Sequence, residues 1–352
     1  MIVEERTYTT HPGKWREYLR LYEAVIDMGN RMTFESRRRI LLASAVAATV
    51  PRAWAQSNYP SRTVQLVHGF GAGGNADVVA RLIAQKLQES LKQTVIVEIK
   101  SGAGGSIATN YVAKAAPDGY NLVMLTGAHT VSAALRKTLP YDSVKDFAFV
   151  STVSSFPFVI AVRAEHPAKT LPELLAMAKR SQVSFTSVGV GSTQHMVGEL
   201  LGSEGKFQLL HIPYRGGGAP VQAVIGGEVD ILADTLTVAT PHLQSGRLRA
   251  LAITSAASWP TLPGVPPVAA TLPGFEVRSW LGIAAPAGTP AGIVRRLNAE
   301  VGNALQASDV KKALENAGSA ASPSSPEAMR DMVQADIARW RSVAARRGLQ
   351  IE

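Results

Sequence analysis

The chain of 352 residues contains no cysteine, and only 6% of its residues are aromatic. The absence of cysteine excludes disulfide-stapled secreted modules, cysteine-ligated zinc or iron–sulfur centres, cysteine nucleophiles and lipid anchors on cysteine. Apolar residues make up 46% and charged residues 18% of the chain, a composition typical of an ordinary folded protein. At roughly 100–200 residues per domain, the length predicts two domains.

The formal net charge of +9 is unevenly distributed. Positions 1–55 hold nine Lys and Arg against six acids, so the remainder of the chain carries only +6. No basic stripe interleaved with aromatic residues is present, as a nucleic-acid-binding surface would require. The charge therefore indicates a solvated basic surface and no nucleic-acid partner.

Residues 32–55 have the pattern of a secretory signal peptide. The basic cluster Arg37–Arg39 precedes the apolar run Ile40–Val50, and small residues follow at Ala53 and Ala55. The run of 11 residues is too short for a permanent membrane span, which needs about 20. The arginine cluster also resembles a twin-arginine signal, so the Sec and twin-arginine routes both stay open. We expect a soluble, non-lipidated protein of the periplasm.

Downstream, short β-branched runs alternate with segments of helical spacing, which predicts an α/β protein with a parallel sheet covered on both faces. The proline-rich segment Trp259–Phe275 is predicted to be a loop. The predicted strands are Thr63–His68, Thr94–Ile99, Asn121–Leu125, Phe158–Val162, Val183–Ser187, Gln208–Ile212, Val229–Ala233, Leu248–Thr254 and Ser279–Ala284.

Two glycine-rich turns each lie between a predicted strand and a helix. Gly69–Gly74 satisfies G-x-G-x-x-G, with Glu98 ending the next strand, and Ser187–His195 forms a second such turn. Backbone N–H groups at a helix N-terminus bind a pyrophosphate or a carboxylate equally well. The turns are thus compatible with an exported NAD(P)-dependent oxidoreductase or with a binding protein for an organic anion. Two such turns suggest a ligand with two acidic ends, or with one acidic and one polar end, held between domains.

Motifs for catalysis are missing from the sequence. It contains no G-x-S-x-G elbow, no HExxH, no P-loop lysine and no close carboxylate pair, and its seven histidines do not have metal-ligand spacing. His68, His129, His195 and His211 end or follow predicted strands, where a base could lie. We expect no enzyme activity, no cofactor and no metal.

From Tyr59 to Glu352 the sequence resembles the solute-binding proteins of tripartite tricarboxylate transporters, the Bug family. The resemblance covers nearly all of the chain after the signal peptide and rests on many short sequence motifs that occur in the same order. They are Tyr59–Ser61, Phe70–Asp77, Val97-Glu98, Gly102–Gly105, Ala113–Tyr120, Leu139–Phe147, Gly191–Thr193 with His195, His211–Gly217, Gly226–Asp230, Gly246–Thr254 and Ala285–Thr289.

The resemblance implies a two-domain periplasmic-binding-protein fold of the Venus flytrap, type II-like kind, with the ligand cleft between domains. Domain 1 would comprise 56–154 plus 276–352, and domain 2 would comprise 155–275. Such a protein would be a monomer that captures a mono-, di- or tricarboxylate and delivers it to the membrane permease subunits, or that partners a membrane sensor.

The resemblance also implies which residues bind the ligand. The first loop of this chain differs from that of similar proteins. They usually have proline at the positions of Gly69 and Ala72, and glycine or a similar residue at the position of Asn75. The implied ligand-binding residues are Phe70, Gly71, Ala72, Gly73, Gly74, Asn75, Thr126, Ala128, Ser187, Gly191, Ser192, Thr193, His195 and Asp234.

The signal peptide generates a prediction about the termini of the protein. Residues 1–31 are polar, carry five acidic residues and fit no signal peptide, so we expect 1–31 to be a mis-annotated leader and translation to start at Met32. Intact-mass measurement should find a precursor that begins at Met32 and an exported protein that begins at Gln56 and has 297 residues. An exported protein that retained Met1 would contradict this.

Overall fold

The computed structural model describes residues 59–349, together with Arg20, Glu23 and Ala24, and gives only the backbone of Arg347. Apart from those three residues, the predicted leader and signal peptide lie outside the described part. Residues 59–349 contain ten β-strands and ten α-helices.

The first third alternates strand and helix, as predicted. In the first helix Val79, Ile83 and Leu87 follow one another at intervals of four and are fully buried, because this spacing places them on one helix face that covers the sheet. The elements are β1 (Val64–His68), α1 (Asn75–Leu91), β2 (Val95–Ile99), α2 (Ser106–Ala113), β3 (Asn121–Thr126) and α3 (Gly127–Leu135).

The middle of the chain holds a second series of strands and helices. Trp259–Phe275 follows it as the predicted loop, broken only by a short 3-10 turn at Val268–Ala270. The elements are β4 (Phe147–Arg163), α4 (Leu171–Ala178), β5 (Val183–Ser187), α5 (Thr193–Gly205), β6 (Leu209–Pro213), α6 (Ala219–Ile225), β7 (Leu232–Thr235), α7 (Leu236–Gln244) and β8 (Leu248–Ile253).

The C-terminal part returns to the first sheet and ends in a long amphipathic helix. That helix buries Met329, Val333 and Trp340, while charged side chains occupy its other faces. No helix in residues 59–349 is long and apolar enough to cross a membrane. The elements are β9 (Arg278–Pro286), α8 (Ala291–Gln306), α9 (Ser308–Asn316), β10 (Ala320–Ala321) and α10 (Pro326–Arg347).

The expectation of a parallel sheet is wrong, because the main sheet is mixed. Its strand order is β10-β4-β9-β3-β1-β2, with β7 and β8 also paired to β4. Strands β1, β2 and β3 are parallel, as βα units require, but β9 runs antiparallel to both β3 and β4. The chain enters β9 from a loop and not from a crossover helix, so nothing forces it to run parallel.

Strand β4 is much longer than predicted and belongs to both halves of the fold. Its first part, from Phe147 to Pro157, pairs with β9, and its second part, from Phe158, pairs with β7 and β8. The sequence predicts a strand only over 158–162, since Ser151, Thr152 and Ser154, which the structure buries, interrupt the apolar pattern before it. Ser151 donates to the Ser324 carbonyl and Thr152 to the Ser322 carbonyl, so tertiary hydrogen bonds satisfy these two buried hydroxyls, whereas Ser154 Oγ has no partner within residues 59–349.

Helix α3 is not among the elements that the sequence pattern predicts. Its sequence is short, rich in small residues and almost entirely buried. The Thr126 hydroxyl caps it by accepting from the Ala128 N–H at 3.2 Å. Tertiary burial and this cap stabilise the helix, although the hydrophobic periodicity of its sequence does not predict one.

Two helix-interior glycines provide a matched test of core packing. A Cβ at Gly198 in α5 would lie 2.0 Å from the ring of Phe185, which is fully buried, whereas a Cβ at Gly302 in α8 would meet nothing within 4 Å. We expect Gly198→Ala to lower the free energy of unfolding by about 1–3 kcal/mol through overpacking. Gly302→Ala should raise it by about 0.5–1 kcal/mol. Urea unfolding measures both, and equal effects would contradict the packing described here.

Candidate ligand-binding site

A narrow cavity lies at the ends of strands β3, β5 and β7. The volume open to the centre of a water molecule is about 40 Å³, room for roughly three waters. Its apolar wall consists of Phe70, Ala76, Phe156, Phe158, Val188, Val238 and Leu281. Its polar and glycine wall consists of Gly74, Asn75, Thr126, Thr193, Gln194, Gly216, Gly217, Asp234, Thr235 and Ser279.

Four helices begin at the wall of this cavity. Asn75 and Thr193 are the first residues of α1 and α5, while Thr126 and Thr235 are the N-caps of α3 and α7. A helix N-terminus carries free N–H groups and a partial positive charge. None of the wall residues in the described part of the chain is lysine, arginine or histidine. Positive charge at the described wall can therefore come only from the backbone of these helix starts.

Two buried side-chain groups at the wall have no hydrogen-bond partner within residues 59–349. They are Nδ2 of Asn75 and Oγ1 of Thr235, in residues that are 7% and 4% exposed. The Thr237 hydroxyl lies 2.7 Å from Asn75 Oδ1 and 2.9 Å from the Ala317 carbonyl oxygen, and its single proton is donated to one of these two acceptors. Buried polar atoms are normally satisfied, so these two groups mark where a polar ligand would contact the wall.

Asp234 is the one charged residue of the described wall. Its Oδ1 accepts from Gln194 Nε2 at 3.2 Å and from the Thr235 N–H at 2.7 Å. Burial raises the pKa of Asp234 to about 6, and these hydrogen bonds oppose the rise only in part. The carboxyl is thus ionised at neutral pH but held in an unfavourable environment.

Glycine backbones close the cavity on one side. The Gly71 N–H donates to the Arg215 carbonyl at 2.9 Å, and a Cβ at Gly71 would lie 2.9 Å from the carbonyl carbon of Gly216. Gly216 and Gly217 also have φ values of +86° and +68°. Only glycine allows both the conformation and this close approach.

Asp77 holds the first glycine loop in place. Its Oδ2 accepts from the Gly73 N–H at 2.9 Å, and its Oδ1 lies 2.9 Å from Arg81 and 3.2 Å from His68 Nε2. Burial would raise the pKa of Asp77, but the hydrogen bonds from Arg81, Gly73 and His68 outweigh it and lower that pKa. Burial lowers the pKa of His68, whose ring is used inside the fold and not at the cavity.

The residues implied by the resemblance divide into two groups. The structure brings six of them to the cavity wall, and the other eight lie off it. Those on the wall are Phe70, Gly74, Asn75, Thr126, Thr193 and Asp234. Those off the wall are Gly71, Ala72, Gly73, Ala128, Ser187, Gly191, Ser192 and His195.

His195 faces away from the cavity wall. Its Nδ1 accepts from the Gly191 N–H at 3.4 Å, and its Nε2 lies 3.4 Å from Glu199. The ring stacks on His211 at 4.0 Å between centroids. Burial lowers the pKa of His211 to about 4, helped by the neighbouring His195. The pair supports the second glycine-rich turn from behind.

Ser187 and Ser192 also support the second turn. Ser187 Oγ lies 2.6 Å from His211 Nε2 and accepts from the Gly189 N–H at 3.0 Å. Ser192 Oγ caps α5 by accepting from the His195 N–H at 3.1 Å. Their hydroxyls fix the start of α5, and Val188 of the same turn reaches the wall.

Sequence reasoning missed several wall residues. Gly216 and Gly217 belong to the range His211–Gly217 that carries the resemblance, but they are not among the implied ligand-binding residues. Phe156 and Phe158 lie in the unpredicted part and the predicted part of β4, where aromatic residues look like ordinary core. Glu98, which the dinucleotide hypothesis needs, is paired with Lys100 at 2.6 Å and lies off the wall.

The fold and this cavity define a class of protein: a two-domain α/β solute-binding protein of the periplasmic-binding type. The model of the tripartite tricarboxylate transporter family receptors, TctC, matches residues 79–349. The chain belongs to this family, which includes the Bug proteins and implies a periplasmic location.

Two relatives extend over most of the chain. A UPF0065 protein in the tcbD-tcbE intergenic region of Pseudomonas sp. (strain P51) is 37% identical over 313 residues, covering 87% of this chain and 93% of the relative. Protein BugT of Bordetella pertussis is 33% identical and covers 89% of this chain and 97% of its own.

Solved structures of similar proteins have the same fold. Periplasmic binding protein BugD gives a TM-score of 0.80 at 32% identity over 83% of this chain and 99% of its own. Rpa4515 of R. palustris, solved with adipate, gives 0.80 at 34% identity with the same coverage. MatC of Rhodopseudomonas palustris, with bound malate, gives 0.77 at 35% identity over 81% and 99% of the two chains.

The raised pKa of Asp234 predicts a pH-dependent stability. Its value is 3.8 for an exposed aspartate and about 6 in the fold. The contribution of the protonated carboxyl to stability is therefore complete below 3.8 and is lost as the pH rises through 6. Between pH 5 and 8 this group should lower the free energy of unfolding of the ligand-free protein by about 1.4 kcal/mol.

Asp234→Asn should abolish this part of the pH dependence, so its stability relative to wild type should increase from pH 5 to pH 8. Urea unfolding at both pH values measures the difference. Asp331→Asn removes an exposed carboxylate on α10 and is the matched control, with no such trend expected. A constant offset between Asp234→Asn and wild type at the two pH values would contradict the raised pKa.

Proposed function

We propose that the protein captures a small organic anion, a carboxylate, in the periplasm and delivers it to the membrane subunits of a tripartite tricarboxylate-type transporter. The single observation that carries this proposal is the convergence of four helix N-termini on a cavity whose described wall has no basic side chain. Adipate and malate in the two related structures support a carboxylate as the ligand.

In this proposal the carboxylate is held by main chain and by Asn75. The N–H groups of Asn75 and Ala76 at the start of α1, and of Thr193 and Gln194 at the start of α5, lack intrahelical partners by their position in the helix. The unpartnered Nδ2 of Asn75 adds a side-chain donor. These donors provide hydrogen bonds to both oxygens of one carboxylate.

The proposed mechanism is closure of two domains, 56–154 plus 276–352 and 155–275, around the ligand. Contacts across this division close the cavity: Gly71 with Arg215, Thr193 Oγ1 with Ser279 Oγ at 3.4 Å, and Arg136 with the Val190 carbonyl at 3.1 Å. The crossovers near Phe149–Ser155 and Phe275–Ser279 are the hinge segments. Because only the closed form contacts the ligand from both sides, the ligand shifts the equilibrium toward closure.

The signal peptide at 32–55 would direct export by the Sec or twin-arginine route, and the protein would act as a monomer. No catalytic step is proposed.

Titration of the purified protein, beginning at Gln56, with mono-, di- and tricarboxylates and with NAD(P)H tests the proposed function. We expect saturable binding of a carboxylate by calorimetry, with a matching rise in thermal unfolding temperature. Binding of the nucleotide without any carboxylate would overturn the proposal in favour of an exported oxidoreductase.

Gly74→Val tests whether the first loop is part of the site. Gly74 has φ −74° and ψ 168°, which valine adopts easily, but a Cβ there would lie 3.2 Å from Gly71 O and 3.3 Å from Gly217 N. The added methyl groups should oppose closure and weaken carboxylate binding by about 10- to 100-fold, with the fold intact.

Gly218→Ala is the matched control, because a Cβ at Gly218 would meet nothing within 4 Å. It should leave the affinity nearly unchanged. If Gly74→Val bound the same carboxylate as tightly as Gly218→Ala, the first loop would not be part of the anion site.

A further inference from the structure

The carboxyl of Asp234 lies close to both of the helix starts that would hold the ligand carboxylate. Its Oδ1 accepts from Nε2 of Gln194, the second residue of α5, at 3.2 Å. The start of α1 contacts the same segment, because Asn75 Oδ1 lies 2.7 Å from Oγ1 of Thr237, in the first turn of α7. Asn75, Gln194 and Asp234 all belong to the cavity wall. An anion held by these two helix starts is therefore a neighbour of Asp234.

The cavity leaves little room for water between such an anion and Asp234. The volume open to the centre of a water molecule is about 40 Å³, and a carboxylate would occupy much of it. Water is the medium that weakens the interaction between charges, so its exclusion strengthens any repulsion between the ligand and an ionised Asp234.

No cation of the described wall neutralises this pair of carboxyl groups, because the wall contains no lysine, arginine or histidine. The pKa of Asp234 is set by burial and by hydrogen bonds from Thr235 and Gln194, which are neutral. The elements packed against β7 and the first turns of α1 carry other titratable or charged residues, none of which belongs to the wall. They are Arg163 on β4, His195, Glu199 and Glu204 on α5, His242 on α7, and Asp77 and Arg81 on α1.

Two carboxyl groups in such a place avoid repulsion by keeping one proton between them. Where like charges share a site, one of the two carboxyl groups has a strongly raised pKa. Burial already raises the pKa of Asp234 to about 6, so about one molecule in ten holds the proton at pH 7 without a ligand. A carboxylate beside it raises that pKa further. The protonated carboxyl then donates its O–H to the ligand carboxylate, a strong hydrogen bond in place of a repulsion.

We propose that the cavity binds its carboxylate together with one proton, which the carboxyl of Asp234 holds and donates in a hydrogen bond to the ligand. The proton comes from the solvent on binding and returns to the solvent on release. This inference rests on the proposed function, because it requires a carboxylate at the starts of α1 and α5. The affinity of the protein then falls as the pH rises, although the ligand itself stays ionised.

Calorimetry counts the proton directly. The probes are butyrate, malate, adipate and citrate, each titrated at pH 7.5, where their carboxyl groups are ionised. Each titration is done in HEPES and in Tris, two buffers with different ionisation enthalpies, and the difference in binding enthalpy gives the number of protons taken up. We expect at least about half a proton for each molecule of a probe that binds, because the bound carboxylate raises the pKa of Asp234 to the pH of the measurement or above.

The pH dependence of affinity and a variant of Asp234 provide a second measurement. From pH 7 to pH 8 the affinity of the wild-type protein should fall about three- to tenfold. Asp234→Asn should bind without proton uptake and with nearly the same affinity at both pH values. At pH 8 it should bind at least as tightly as wild type, because asparagine has a similar shape, no charge and an N–H donor.

Asp331→Asn is the matched control, because it removes an exposed carboxylate on α10. It should keep the proton uptake and the pH dependence of the wild type. Thermal unfolding of each variant verifies that it is folded, and the proton count of the wild-type protein stands even if a variant is not.

The outcomes separate this inference from the proposed function. A wild-type protein that binds a probe without proton uptake, or with release of a proton, would overturn the inference and leave carboxylate capture intact. Proton uptake that persists in Asp234→Asn would overturn the role of Asp234. If none of the probes binds, the assumption of a carboxylate at the helix starts fails, and the inference fails with it.

Discussion

Four helices that start at one cavity are the constraint on which the rest of the structure depends. Their N-termini supply positive potential without a lysine or arginine at the described wall. The helices must therefore begin at the wall and run away from it. The strand ends before α1, α3, α5 and α7 fix those starts. The caps Thr126 and Ser192 satisfy one N–H of α3 and α5, which leaves the others for a ligand. The starts of these helices are thus both the ends of secondary-structure elements and the source of hydrogen-bond donors for a ligand.

The glycine loops follow from this arrangement. A backbone that binds must be approached closely, and side chains at Gly71, Gly216 or Gly217 would prevent the two loops from meeting. Glycine-rich loops are flexible by themselves, so neighbouring side chains of the fold must hold them in place. Asp77 fixes the first loop through Gly73, while the stacked imidazoles of His195 and His211 lie behind the other glycine-rich turn, Ser187–His195. His195, which the resemblance implies as a ligand-binding residue, thus makes its described contacts off the cavity wall.

Sequence reasoning succeeded where local chemistry is decisive and failed where tertiary contacts decide. The glycine turns and the resemblance brought Asn75, Thr193 and Asp234 to attention, and all three lie on the wall. The antiparallel course of β9, the first half of β4 and helix α3 were not predicted, because distant partners determine them. The aromatic wall residues of β4 carry no distinctive local pattern. The surroundings of the His195 ring depend on Glu199 and on His211 of the next strand, β6.

The contact between Gly71 and Arg215 involves backbone atoms only, and this has a consequence for how such a protein can change. Side-chain contacts cross the same division, among them Thr193 Oγ1 with Ser279 Oγ, and a single substitution can remove them. The acceptor for the Gly71 N–H is different, because the carbonyl of residue 215 is main chain and is kept whatever side chain replaces that of Arg215. Drift in the sequence of this loop therefore leaves the hydrogen bond in place.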